Sequence, residues 1–332
     1  MVTRKDYTFS CIFYNRWKVM VTREGLQEVL DIGNVNIGGE SGINPTCMVG
    51  SMFHRGDKAV TDHKRGTFVK DKVLDVLGIM EKASRETCIP FIVDVVGNSP
   101  ENLVKYCTFI AEHTENKHQP FLMDGLNDTV RIPAVKALAQ QGLGDRLIYN
   151  SIEPKISDDS LETLADCKVK HAVLLAFDSR FLLPEQKFKL LRGWGDRKGK
   201  MEGLIPKAKR CGIRNLLVDA AVLDMPSIGI AARIIQDVKE FLGYPAGCAP
   251  SNAIFKCQKF MELGRDARKS SLVTACGFLA SQGADFILFG PASYASEAFM
   301  AVAQVDAFIA YAKRRIERLK FDAGTHPLSR VF

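Results

Sequence analysis

From Asn44 onward the chain alternates short apolar runs with longer segments whose apolar residues recur at helical spacing. The runs are Thr46 to Met52, Pro90 to Val96, Pro120 to Met123, Arg146 to Tyr149, Ala172 to Phe177, Asn215 to Val218, Pro245 to Cys248 and Asp285 to Phe289. Their near-continuous apolar character predicts strands buried on both faces, as in a parallel sheet covered by helices. Helices are predicted over Lys70 to Ala83, Glu101 to Thr114, Ile132 to Gln141, Asp159 to Asp166, Met201 to Cys211, Ser227 to Leu242, Ser251 to Gln282 and Ser296 to Lys320. In the Ser227 segment, Ile228, Ala231, Ile235, Val238 and Leu242 share one face, and Gly243-Tyr244-Pro245 stops it. Eight strand-helix units predict an α/β fold of the (β/α)8 barrel type, with a doubly wound sheet as the competing arrangement.

Ahead of these units, Val29 to Ile32 and Val35 to Ile37 alternate apolar and polar residues around Gly33-Asn34, the pattern of a β-hairpin. The expected organisation is an N-terminal extension at 1–26, one barrel domain at 27–320 and a C-terminal tail at 321–332. The segment from Asp178 to Lys200 has no clear period beyond a short helix at Gln186 to Leu191, and its length marks an insertion or a lid over the barrel mouth.

In such a barrel the polar residues that end the strands face the active-site mouth. Here they are Asp94, Asp124, Asn150, Asp178, Asp219 and Asn252, all aspartate or asparagine. Carboxylates that accept from paired N–H groups, joined by amides that both donate and accept, suit a neutral planar heterocycle such as a pterin. Each also has a local reading as a helix cap or a partner for loop amides. The six histidines show no metal-binding spacing, so no metal site is expected. The turns after the last two strands, Cys248-Ala249-Pro250 and Gly290-Pro291-Ala292, lack a glycine-rich phosphate grip. Lys155, a lone loop lysine after Pro154, is read as a solvated charge and not as a Schiff-base former.

Composition narrows the setting. The 332 residues are 46% hydrophobic and 25% charged, which excludes disorder and coiled coil. The 45 basic and 38 acidic residues are dispersed, so the net charge of +7 is a weak argument for nucleic acid. Ala298 to Ala312 is interrupted by Gln304 and Asp306, leaving no membrane span, and the N-terminus lacks a cleavable signal. Nine cysteines, scattered singly, fit a reducing cytoplasm.

The run "DIGNVNIGGESGINPTCMVGSMFHRGDK", with "DRLIYNSI", "LLAFD", "LVDAAV", Leu242-Gly243-Tyr244-Pro245 and "ADFILFGP", resembles the H-subunit family of tetrahydromethanopterin S-methyltransferase and its bacterial relatives, which move a methyl group between a corrinoid protein and tetrahydrofolate. The resemblance spans about residues 27 to 312. It implies a pterin-binding (β/α)8 barrel, usually a homodimer, in which Asp124, Asn150 and Asp219 hold the pterin's pyrimidine edge and Asn252 lies near the methylated N5. Asp94 and Asp178 join them as pterin-binding candidates, and Asn252 is the catalytic one.

The segment Ala249-Pro250-Ser251-Asn252 departs from the Gly-x-His-Asn expected in the archaeal members, which favours tetrahydrofolate over tetrahydromethanopterin as the pterin. The chain lacks the Asp-x-His-x-x-Gly segment of corrinoid carriers, so the corrinoid is expected on a partner protein docked at the barrel mouth. The resulting expectation is a methylcorrinoid:tetrahydrofolate methyltransferase. Its alternatives are a tetrahydromethanopterin enzyme, a dihydropteroate synthase-like condensing enzyme and a non-catalytic scaffold for a carrier protein.

Overall fold

The structure is a computed structural model that describes residues 27–196, 199–321 and 324–332. The extension expected at 1–26 therefore lies outside the described residues. Eight parallel strands close into a barrel: β3 (Cys47–Met52), β6 (Phe91–Gly97), β7 (Phe121–Gly125), β8 (Leu147–Ile152), β9 (His171–Leu175), β12 (Asn215–Asp219), β13 (Ala246–Cys248) and β14 (Phe286–Pro291). All eight coincide with the apolar runs, and the closed order excludes the doubly wound sheet.

Around the barrel lie α1 (Lys70–Thr87), α2 (Pro100–His113), α3 (Asp128–Gln140), α4 (Asp158–Asp166), α5 (Pro184–Arg192), α6 (Leu204–Arg210), α7 (Ser227–Leu242), α8 (Ser251–Ile254), α9 (Gln258–Glu262), α10 (Arg265–Ser281) and α11 (Ala295–Ile316). No helix among the described residues is long and apolar enough to cross a membrane. The eight described cysteines are unpaired.

Alternation along the strands separates two cores. Outward residues such as Met48, Val93, Met123 and Tyr149 pack under the helices. Inward residues Cys47, Val49, Ile92, Leu122, Ile148, Val173, Leu217 and Phe286 form a second cluster inside the barrel. That inner cluster is sealed by Leu30, Ile32, Val35 and Ile37 of the hairpin β1 (Val29–Ile32) and β2 (Val35–Gly38). The hairpin turn needs positive φ at both central residues, and Gly33 (φ 59°) and Asn34 (φ 68°) supply it.

Four sequence expectations are corrected. The helix expected from Ser251 to Gln282 is three helices, and the second break, before α10, falls at Gly264, whose φ is 90°. Met201 and Glu202, expected in a helix, belong to β11 (Gly199–Glu202), which pairs with β10 (Gly193–Asp196). The segment from Asp178 to Lys200 is accordingly α5 followed by a hairpin, and Lys187, Phe188, Leu190 and Leu191 bury one side of that helix. Helix α3 starts at Asp128, four residues before the expected Ile132, with the Asn127 side chain accepting the Val130 N–H at 3.3 Å.

Candidate functional site

Two-residue periodicity places the site. Inward Ile92, Leu122, Ile148 and Leu217 form the apolar floor, so the residues two positions on, Asp94, Asp124, Asn150 and Asp219, also point inward one layer nearer the strands' C-terminal ends. Asp124 and Asn150 are register partners across β7 and β8. Together with Asp219 and Asn252 they line a cavity of about 560 Å³, within the ~300–1,000 Å³ of small-molecule sites. Leu175 and Leu288 supply apolar wall, and the polar lining also includes Tyr106, Arg131, Glu153, Arg55 and His63.

Two candidates stand apart from that lining. Asp94 is buried and outside that lining, accepting the Ser51 hydroxyl at 2.6 Å, and its Oδ1 has no hydrogen-bond partner among the described residues. Asp178 lies beyond the end of β9, whose inward position is Leu175; its carboxylate is bound by Arg180 at 2.8 and 3.0 Å. That guanidinium, and then the Arg180 backbone N–H, hold Asp178 down at about 2. Its charge is already matched locally, and the structure does not bring it to the pterin-binding candidates.

Burial dominates the electrostatics of the rest. Asp94 and Asp124 are pushed above the usual carboxylate range, first by desolvation; for Asp124 the charge of Asp94 adds to it and Arg131 opposes. Asp219 is raised to about 6 by burial, opposed by the Ala221 N–H on its Oδ1 at 2.7 Å and by Lys187. Each carboxyl thus sits where hydrogen-bond donors from a guest stabilise its charged form.

Sequence reading missed two cations. Arg131, 4% exposed, donates to the Asn150 carbonyl at 3.1 Å, to Asp128 at 3.0 Å and to Glu153 at 2.9 Å, bracing the end of β8. It was outside the helix expected from Ile132, so nothing marked it as facing the mouth. Lys187, 2% exposed, comes from α5 and donates its Nζ to the carbonyl of Ala220, the residue after Asp219. Burial lowers it to about 8 and Asp219 opposes the shift. A buried lysine in "PEQKFKLLR" is indistinguishable by sequence from its exposed neighbours.

The aromatic wall is built from the segment after β3: Phe53 stacks on Tyr106 with ring centroids 4.1 Å apart. The buried Tyr106 hydroxyl and Arg131 Nε have no partner among the described residues. Buried polar atoms are nearly always bonded, so two such atoms on one cavity mark a site for a polar guest. Among the described residues no three or more His, Cys, Asp or Glu side chains group to hold a metal.

The rim carries Asn252, which is exposed on the short α8. Its placement depends on Gly290 at φ 90°: a Cβ there would lie 2.7 Å from Ser251 Cβ. The close approach lets the Ser251 hydroxyl donate to the Leu288 carbonyl at 3.1 Å and ties the α8 turn to β14.

Solved structures with the same architecture include Yersinia pestis dihydropteroate synthase in a sulfonamide drug complex, at TM-score 0.59 and 14% identity over 86% of this chain and 100% of that one. Xanthomonas albilineans dihydropteroate synthase in complex with 7,8-dihydropteroate follows at TM-score 0.54 and 16% identity, covering 85% of this chain and 98% of that one. At this identity they show the barrel fold alone. Sequence relatives are nearer. The H subunit of tetrahydromethanopterin S-methyltransferase from Methanothermobacter thermautotrophicus is 33% identical over 91% of this chain and 95% of its own. Its counterpart from Methanothermobacter marburgensis is 34% identical over 87% of this chain and 93% of its own. The family model described as Tetrahydromethanopterin S-methyltransferase MtrH subunit matches residues 25–318. Spanning nearly the whole barrel, these matches show that the chain belongs to the H-subunit family of tetrahydromethanopterin S-methyltransferase.

Proposed function

We propose that this chain transfers a methyl group between N5 of a reduced pterin of the tetrahydromethanopterin type and a corrinoid carried by a partner protein. The observation that carries the reading is the convergence of Asp124, Asn150 and Asp219 in one cavity, with Asn252 at its rim. The pterin's 2-amino group and ring N3–H form a donor pair, which a buried carboxylate accepts with charge-assisted bonds. Asn150 matches the adjoining carbonyl or ring nitrogen, since an amide offers both a donor and an acceptor. Phe53, Leu175 and Leu288 exclude water from the bicycle's faces and hold it in line with the rim. The corrinoid supplies the centre that takes or gives the methyl group. The relatives named for tetrahydromethanopterin favour that pterin over the tetrahydrofolate expected from sequence; Ala249-Pro250-Ser251-Asn252 is the observation that keeps tetrahydrofolate as a second reading.

Calorimetric titration of the purified protein with each reduced pterin, under anoxic conditions, tests both. Saturable binding of tetrahydromethanopterin at least tenfold tighter than of tetrahydrofolate is expected. The reverse order moves the assignment to tetrahydrofolate, and no binding of either leaves the scaffold alternative. The reading also includes a homodimer and a reducing cytoplasm. It is supported there by the exposed Phe308, Tyr311 and Ile316 on α11 and by the unpaired cysteines.

A pH dependence follows from Asp219. Only its charged form accepts both donors, so affinity is full above pH 6 and falls as pH drops through about 6, where the free protein takes up the proton. Around that carboxyl stand Lys187 of α5, Asp124 of β7 and Cys248 of β13. Lys187→Met removes the one cation among them, and the acid limb of the affinity profile should move up by roughly one pH unit. An unmoved limb would show that Lys187 serves packing alone.

A further inference from the structure

The segment from Phe53 to Gly66, between β3 and α1, gives the pterin-head site its Phe53 wall and carries a run of basic residues beyond it. It holds His54, Arg55, Lys58, His63, Lys64 and Arg65 against only Asp57 and Asp62. Both acids are engaged by the backbone. Asp57 accepts the N–H of Phe53 at 2.7 Å and of Ala59 at 2.9 Å, and Asp62 accepts those of Lys64 at 2.8 Å and Arg65 at 3.1 Å. Their charges organise two turns; Asp62 also pairs weakly with Arg65, at 3.8 Å. Arg55 forms no ion pair among the described residues and is solvent-exposed at the tip of the first turn.

The segment is anchored to the barrel. Asn98 and Asn102 each donate a side-chain N–H to the His63 carbonyl, at 2.9 and 3.0 Å, and Lys105 donates to the Gly66 carbonyl at 2.7 Å. Its short strands β4 (Val60–Asp62) and β5 (Thr67–Phe68) pair with each other, and Phe53 is clamped between Tyr106 and Phe68. The anchoring puts Arg55 and His63 on the same cavity as Asp124, Asn150 and Asp219. The acids of that cavity suit the neutral, donor-rich head of a pterin; the two bases suit something else.

We propose that Arg55, with His63 on the same cavity, binds the anionic tail of the pterin substrate, the phosphate or carboxylate groups that extend from the ring through the mouth. The inference rests on the pterin reading above and extends it to the part of the substrate that takes no part in the chemistry. Reduced pterin cofactors carry such tails, and a guanidinium pairs with carboxylate or phosphate through two parallel N–H donors. Remote contacts of this kind hold the reacting end in register. The competing use of the same charges is to dock an acidic carrier protein.

The test compares tetrahydromethanopterin with 6-methyltetrahydropterin, which presents the same head without a tail, by anoxic calorimetry on wild type, Arg55→Ala and Arg55→Lys. Arg55 is exposed, so its replacement leaves the melting temperature in place, and that is checked first. For Arg55→Ala a loss of about tenfold is expected against tetrahydromethanopterin, with affinity for 6-methyltetrahydropterin unchanged. The salt dependence of the tailed ligand should flatten, and Arg55→Lys should recover part of the loss. Equal losses on both ligands, or none on either, overturn the tail assignment while leaving the head site intact. Unchanged binding with slower transfer from the carrier also overturns it and assigns the charges to docking. If wild type binds neither ligand, the pterin reading itself fails and the tail site with it.

Discussion

Asp219→Asn is expected to cost at least a hundredfold in reduced-pterin affinity at pH 7.5 while making the ligand-free protein harder to melt. The loss follows from chemistry. A carboxylate accepts two N–H donors, whereas an amide accepts with one atom and turns its own donors toward the substrate's; truncating one side of a buried charged contact typically costs about 2–5 kcal/mol. The gain follows from linkage. The folded-state value of Asp219 is raised to about 6, so its contribution to stability is largest below the ordinary carboxylate range and is lost as pH rises through 6. At pH 7.5 the buried charge costs about 3 kcal/mol relative to a neutral side chain. That figure is already net of the attraction of Lys187, which is one of the two contacts that oppose the shift. Melting curves for the two proteins should therefore differ most at pH 7.5, be clearly closer at pH 5 and converge only in the ordinary carboxylate range. Unchanged affinity would remove Asp219 from the pterin edge. A melting difference that is the same at both pH values would show that its charge is not the source of the instability.

The same trade explains why the site could be read from the chain at all. A strand buried on both faces tolerates no polar residue without a reason, so an aspartate ending "FLMD" or "LLVD" stands out against its apolar run. Each such residue lies two positions past an inward apolar residue, and alternation carries it into the mouth. Asp178 shows where the rule stops. It looks like the other strand ends in "LLAFD", but β9 finishes at Leu175, and beyond the last paired residue alternation no longer says where a side chain points. Asp94 obeys the rule yet is buried outside the cavity lining, since inward orientation alone does not open a side chain to the cavity.

What remained hidden came from elements whose position depends on packing. Arg131 and Lys187 are helical residues, and helical periodicity leaves a cation's depth undetermined until neighbouring elements are placed. Lys187 carries its charge inside the fold because α5 crosses close enough for the Ala220 carbonyl to accept its Nζ. The break at Gly264 was equally invisible to pattern, because apolar residues continue at helical spacing on both sides of it. Local alternation was sufficient for the barrel and its hairpin plug; the contacts of Arg131 and Lys187 around the site depend on how the helices pack.

Asn252→Ala should separate binding from chemistry. The residue is exposed at the rim, on a four-residue helix, while Asp124 and Asn150 lie within the barrel on the strands. Contact there adds little to ground-state affinity, so binding should change by no more than about threefold. The demand on it arises during transfer. When N5 gives up its methyl group the C–N electron pair stays on nitrogen, which takes a proton from solvent to become N5–H, and an amide N–H placed beside it would stabilise the charge as it develops. Removing one such donor typically lowers turnover by about 10²–10³-fold. Single-turnover transfer rates at saturating pterin, measured beside calorimetric affinities, distinguish the cases; equal losses in both would make Asn252 a binding residue and nothing more. The geometry supplies an internal control. Gly290→Ala leaves Asn252 in the sequence but places a methyl group against Ser251, displacing the α8 turn. If the amide acts by position, this variant should reproduce much of the rate loss with pterin affinity near that of wild type. If transfer runs at the wild-type rate in a Gly290→Ala protein that still folds, the position of Asn252 is not what the reaction uses.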